Sequence, residues 1–207
     1  HPEIAFEKDF LRWMLSDGAG AVLLQDRPNA SGLSLRVDWL DILSFADQMP
    51  ACMYAGAEMQ DGSLRGWSRY DADERARHSL MAIKQDVKLL NDNIVKYTVV
   101  EALRRIMARR ELRVADIDWF LPHYSSEFFR ERLATGLAEV DLAIPMARWF
   151  TNLTRKGNTG AASIFIILEE LFNGGQLRSG QKLLCYVPES GRFSSAFMHL
   201  TVVGNEA

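Results

Sequence analysis

The chain has 207 residues, 48% of them hydrophobic and 25% charged, with a formal net charge of -3 at pH 7. That composition can bury a real core and excludes disordered, collagen-like and membrane classes. It also gives no general attraction to nucleic acid, whose partners carry a strongly basic face. Two cysteines far apart, Cys52 and Cys185, supply neither a disulfide framework nor a zinc-type cluster, so reduced thiols are expected. The longest apolar run, Ser163 to Leu168, is far short of the ~20 residues a bilayer span needs, and no charged-then-apolar leader is seen. No membrane association is expected, and the cytoplasm is the expected compartment. The chain opens at His1-Pro2 without a methionine and reads as a piece of a longer protein.

In chain order, Phe10 to Leu15 leads through the glycine turn Asp17-Gly18-Ala19-Gly20 into Ala21-Val22-Leu23-Leu24, an expected strand. The two glycines permit close backbone approach. They lack the spacing of a phosphate loop and precede no helix, so tight packing is favoured over nucleotide binding. After the turn residues Arg27 to Gly32, Leu33, Leu35, Val37 and Trp39 alternate with Ser34, Arg36 and Asp38 as a half-buried strand. From Ala46 to Asp73 the periodicity vanishes, a run long enough for a structureless connection to suggest a partner contact or a function. From about Leu80 to Arg110, apolar residues recur at helical spacing, with Asn91-Asp92-Asn93 a possible break and Arg104 to Arg113 crowding the C-terminal end as a solvated face.

Ile117 to Leu121 reads as a buried strand that stops at Pro122 and presents His123. Ser125 or Ser126 is expected to cap a helix running to about Leu137, and Pro145 fits a helix start in the ambiguous 144–153 stretch. Gly157-Asn158-Thr159-Gly160 places a carboxamide on a tight turn before a helix, Thr159 to Phe172, that is apolar on nearly all sides and closed by Asn173-Gly174-Gly175. Gln181 to Val187 and Ser194 to Val203 form two strands joined at Pro188-Glu189-Ser190-Gly191-Arg192. The expected order is β-β-α-β-α-α-β-β.

A neutral histidine and an asparagine brought together can donate hydrogen bonds to a developing oxyanion or enolate, which neither a carboxylate nor an alkyl group can do. Taken alone, a histidine at a strand end is more often a satisfied structural residue.

The order of four motifs carries a resemblance: Ser16 to Leu24, then Ile117 to His123, then Gly157-Asn158-Thr159-Gly160-Ala161-Ala162-Ser163, then Ser179 to Leu184. From about Leu15 to Val203 the chain resembles the C-terminal half of β-ketoacyl-acyl carrier protein synthase III, of the thiolase superfamily. The fold this implies is α/β: the C-terminal half of a thiolase-like fold, a mixed sheet with packed helices including one buried central helix. Residues 1–26 would be the tail of the first half and residues 27–207 the second.

The implied activity is decarboxylative Claisen condensation of an acyl thioester with malonyl-acyl carrier protein, in fatty-acid, polyketide or aryl-polyene type biosynthesis. By the same resemblance, His123 and Asn158 match the pair that binds the malonyl thioester carbonyl. The cysteine nucleophile has no counterpart, since its place in chain order lies before Asp17; neither Cys52 nor Cys185 is expected to be catalytic, so the chain alone would be inactive. No cofactor is implied beyond thioesters on coenzyme A or acyl carrier protein. The implied partners are that carrier, acyl-coenzyme A, the missing first half and a second copy in a homodimer.

Three departures stand out. Tyr124-Ser125-Ser126 replaces the usual Gln-Ala-Asn, putting Ser126 in the asparagine position. A glycine-rich loop that offers a backbone amide to the thioester oxyanion becomes Pro188 to Arg192, with Glu189 and Ser190 at its centre. The long run from Ala46 to Asp73 suggests a specialised relative. The alternative is a non-catalytic partner subunit that shapes a ketosynthase pocket.

Overall fold

The computed structural model of the chain describes residues 9–11 and 13–204. His1, Pro2 and Arg12 lie outside them. The centre is a four-stranded sheet in which β1 (Leu33–Ser44), β8 (Ser194–Gly204), β7 (Lys182–Glu189) and β6 (Trp119–Pro122) lie side by side in that order. β6 runs parallel to β7, whereas β7 with β8 and β8 with β1 are antiparallel, so the sheet is mixed. A parallel bridge between Phe120 and Trp149 carries the pairing one chain further past β6.

Side chains on β7 alternate between two cores, as the period of a strand requires. Leu184 and Tyr186 join a larger core, and Leu183 and Cys185 a smaller one on the opposite face. The larger core is covered by one continuous helical stretch over residues 87–107, built of α2 (Val87–Val95), a π-helical turn (Lys96–Glu101) and α3 (Ala102–Met107), and by α4 (Arg130–Ala138). The smaller is covered by α6 (Ser163–Asn173), which buries Ile164, Ile167, Leu168 and Leu171. The result is three layers, helix, sheet and helix, with a mixed sheet and packed helices as the fold class anticipated.

Several expectations are corrected. Residues 21–25 form no strand; they run without a sheet partner, and Val22, Leu23 and Leu24 are exposed, because an extended segment becomes a strand only when a neighbour completes its hydrogen bonds. The expected strand order therefore loses its first member. In β1 a bulge falls between Val37 and Trp39, so Leu33 and Leu35 pack on the smaller core and Trp39 on the larger. One extra residue moves the following side chains to the other face. The bulge leaves the Asp38 carboxylate accepting from Thr201 Oγ1 at 2.6 Å and meeting His199 Nδ1 at 2.9 Å.

The 46–73 run is not structureless. It holds β2 (Met53–Tyr54), a hairpin of β3 (Ala57–Gln60) and β4 (Ser63–Gly66), and the start of α1 (Ala72–Arg77), capped by the reciprocal Asp71–Glu74 pair. β2 pairs with β5 (Lys84–Gln85), which occupies the front of the expected 80–110 helix. That helix begins instead at Asp86, whose carboxylate accepts from Leu89 N–H at 2.8 Å, and Asn91-Asp92-Asn93 do not break it. Nor is the arginine cluster simply solvated: Arg110 and Arg109 meet Asp41 at 2.5 and 3.5 Å, and Arg105 lies over Phe45. Among the described residues no helix is long and apolar enough to cross a membrane.

Candidate functional site

His123 sits at the carboxyl end of β6, where its backbone N–H donates to the Tyr186 carbonyl at 2.8 Å and continues the β6–β7 ladder. Phe120 and Tyr124 belong to the larger core and Leu121 to the smaller, so continued alternation directs His123 toward the face that carries α6. The side chain is buried, and burial alone pushes its pKa down to about 4. At neutral pH the imidazole is therefore uncharged, with one ring N–H to donate.

Asn158 reaches that same face by a different route. α5 (Leu153–Lys156) ends at Gly157, which has a φ of 78°, and the turn delivers Asn158 just before α6. Its carbonyl accepts from Ser16 N–H at 2.8 Å, part of a parallel bridge between Leu15 and Asn158. Its Oδ1 accepts from Gly160 N–H at 3.1 Å, which makes the NH2 the donating end of the carboxamide. Asn158 is buried. Close approach of the leading segment depends on glycine: a Cβ on Gly18 would stand 2.7 Å from Thr159 Cβ, and one on Gly20 would run into Phe165. The tight packing read from Asp17-Gly18-Ala19-Gly20 is thus present, against the start of α6 rather than between strands.

The β6 end and the 149–158 segment are also tied directly. Phe150 N–H donates to the Phe120 carbonyl at 2.9 Å, and the Tyr124 hydroxyl meets Thr151 and, at 3.3 Å, Glu127. Burial and the Glu127 carboxylate push that phenol up to about 12, so it stays protonated. Farther along the segment, Asn152 Nδ2 donates to Glu170 Oε2 at 2.7 Å, and Arg155 pairs with the other oxygen of the same carboxylate.

The remaining predicted positions fall differently. Ser126 stands at the N-cap position of a 3-10 turn, Glu127–Phe129, but its side chain makes no capping bond, and neither it nor Ser125 starts a regular α-helix. Its carbonyl accepts from Phe129 N–H at 3.0 Å. The Glu189 carboxylate turns back on its own loop. It accepts from the backbone N–H of Gly191 and, at 3.3 Å, of Arg192, so the loop's amides are taken by its own side chain. Ser190 Oγ faces Met53 Sδ at 3.8 Å, and the Gly191 carbonyl accepts from Cys52 N–H at 2.7 Å. The run from Ala46 therefore reaches the end of β7 and fastens this loop.

Both cysteines are buried. Burial, with the charges of Asp86 and Glu189, pushes the Cys52 thiol up to about 11, and its Sγ donates to the Asp86 carbonyl at 3.3 Å. Burial raises Cys185 further. Thiols held this far above neutrality are poor nucleophiles. Among the described residues no cluster of three or more metal-ligating side chains occurs.

Sequence reading missed the Asn152, Arg155 and Glu170 cluster, and it missed Thr98 and Tyr186, whose hydroxyls meet at 2.6 Å between the π-helical turn and β7. One of two adjacent acids on a helix otherwise read as apolar, three residues before its end, was the signal available for Glu170.

Comparison with known proteins places residues 107–194 in register with the family described as 3-oxoacyl-[acyl-carrier-protein (ACP)] synthase III C terminal. A chloroplastic beta-ketoacyl-[acyl-carrier-protein] synthase III B of Cuphea wrightii is 23% identical over 181 residues, 73% of this chain and 44% of the relative. Among solved structures, a tetronic acid condensing enzyme superposes with a TM-score of 0.57 at 17% identity, covering 81% of this chain and 47% of that one. A 3-oxoacyl-[acyl-carrier-protein] synthase III from Aquifex aeolicus gives 0.55 at 20% identity, covering 80% and 44%. The chain thus has the fold of the C-terminal half of these condensing enzymes, and it spans less than half the length of each.

Proposed function

We propose that this chain is the C-terminal, enolate-stabilising part of a decarboxylating ketosynthase of the 3-oxoacyl-acyl carrier protein synthase III type. The proposal is carried by two observations taken together: a buried, neutral His123 at the carboxyl end of β6, and a buried Asn158 at the turn into α6 whose Oδ1 already accepts from Gly160. Both groups donate hydrogen bonds without bringing charge. A malonyl thioester loses carbon dioxide as its electrons flow into the thioester carbonyl, and neutral donors at that oxygen stabilise the charge that develops there. The enolate carbon then attacks an acyl thioester held on a cysteine of the first half, which residues 1–26 would adjoin, forming the new carbon–carbon bond as the acyl C–S bond breaks and the cysteine leaves as thiolate.

The substrate would arrive on an acyl carrier protein or coenzyme A, and the intact enzyme would be a homodimer. The exposed Val22-Leu23-Leu24 segment supports the first half as a neighbour, since it is an apolar run without a sheet partner among the described residues. The test is carbon dioxide release from a malonyl-carrier thioester by the full reading frame. His123→Ala and Asn158→Ala are each expected to slow it by roughly 10²–10³-fold, the usual cost of an oxyanion donor, and unchanged release in both would refute the assignment.

One observation favours a second reading, a non-catalytic partner subunit. Glu189 engages two amides, those of Gly191 and Arg192, in the loop that by the resemblance would offer a backbone donor to a thioester oxygen. If the full reading frame lacks a reactive cysteine upstream of Asp17 yet raises the activity of a separate ketosynthase, this reading prevails.

A further inference from the structure

Asn158 can serve an enolate only if the turn that carries it is held in place, and the Gly160 N–H bond to its Oδ1 fixes the carboxamide only relative to the turn itself. α5 spans only Leu153–Lys156, and its cap residue Asn152 makes no side-chain bond to the helix it begins. The Asn152 side chain points away instead, and its Nδ2 donates to Glu170 at 2.7 Å. Arg155, on the same short helix, pairs with the other oxygen of that carboxylate. Asn152 is buried, so its amide has exchanged water for this one acceptor.

Glu170 belongs to α6, the helix that Asn158 itself precedes. A single carboxylate thus joins both ends of the 152–163 stretch into a closed loop with Asn158 inside it. The bond from Asn152, with the Arg155 charge, holds the Glu170 carboxyl below the usual carboxylate range.

We propose that Glu170 is a positioning residue that sets the orientation of the Asn158 carboxamide by clamping Asn152 and Arg155. The inference rests on the reading of Asn158 as an enolate donor, but the clamp can be tested apart from it. The direct readout is the Asn158 side-chain NH2 resonance pair in a nitrogen–proton correlation spectrum of the chain, kept in solution with a mild detergent.

Glu170→Ala is expected to move the pair toward the position of a solvated amide while the backbone amides of β7 and β8 keep theirs. Glu170→Gln keeps an oxygen for Asn152 and is expected to restore the pair most of the way. Asn152→Ala removes the same bond from the other side and covers the case in which Glu170→Ala does not fold. The proposal is overturned if Glu170→Ala or Asn152→Ala leaves the Asn158 pair in place, or if sheet resonances move as far as it does, which marks general loosening.

The second readout is malonyl decarboxylation by the full reading frame. A displaced donor should lower kcat about tenfold with KM within about twofold, since the interaction is realised in the transition state. If the Asn158 pair moves but Asn158→Ala itself leaves carbon dioxide release unchanged, the clamp stands and the ketosynthase reading fails. If Asn158→Ala slows release and Glu170→Ala does not, the clamp fails alone.

Discussion

At neutral pH the imidazole of His123 carries no charge, because protonating it would place a cation in a buried site. Stability follows from the sign of that shift. The unfolded chain takes up a proton near pH 6.5, the folded chain only near about 4, so the contribution is complete above 6.5 and is lost as pH falls through that window. Between about pH 7.5 and about pH 5, the wild type should lose about 2 kcal/mol more than His123→Gln in urea unfolding; equal losses would mean that the ring titrates normally.

Glu189 makes a second residue-scale prediction. Its carboxylate is exposed, so Glu189→Ala should cost less than about 1 kcal/mol. Hydrogen exchange at Gly191 and Arg192 should nevertheless accelerate several-fold, and unchanged exchange would show that these amides are not held by the carboxylate. The placement of His123 at a strand end was legible because a proline marks the end of an apolar run, and that of Asn158 at a turn because glycines bracket it. The work of Glu189 was not legible, since whether a carboxylate faces a ligand or turns back on its own loop depends on turn geometry that spacing does not encode.

Between elements, the contact of most consequence is the hydroxyl pair Thr98 and Tyr186, which ties the π-helical turn to the strand whose carbonyl holds His123. Thr98 also donates to the Ile94 carbonyl at 2.5 Å, so the phenol supplies the proton for the bond between the two hydroxyls. Thr98→Val leaves the Tyr186 hydroxyl buried without an acceptor and should cost about 1–3 kcal/mol, whereas Tyr186→Phe leaves Thr98 bonded to Ile94 and should cost nearer 1. Chemical unfolding of both variants checks the order, and a costlier Tyr186→Phe would reverse the assignment.

The helical period over the 80–110 region located this helix but not its start. Lys84 and Gln85 pair with Met53 and Tyr54, strand contacts made across some thirty residues that no local window registers. The same blindness hid the hairpin within 46–73, whose short strands carry little apolar alternation. β7 and β8 were legible nearly to their ends because both faces of β7 are buried and its apolar run is continuous.

Across the whole molecule, the mixed sheet and its helical layers follow from the order of apolar segments, but the bulge at Asp38 and the unpaired 21–25 segment do not. A bulge depends on register with β8, and a strand on a neighbour, and both are decided by pairing rather than by composition. Val22, Leu23, Leu24, Leu40 and Ile42 leave an apolar surface in water. The chain on its own is therefore expected to self-associate in sedimentation at micromolar concentration, and Leu23→Ser with Ile42→Ser to reduce that association; a monodisperse wild-type monomer would contradict it.

Enolate stabilisation in the proposed reaction depends on His123 and Asn158 acting on one oxygen. The most direct measurement is a double-mutant cycle on malonyl-thioester decarboxylation by the full reading frame, comparing His123→Ala, Asn158→Ala and the pair. Two donors to a shared enolate should couple, so the double variant should lose far less than the product of the single losses. Losses that multiply would place the two side chains in independent roles and contradict the shared-oxygen mechanism.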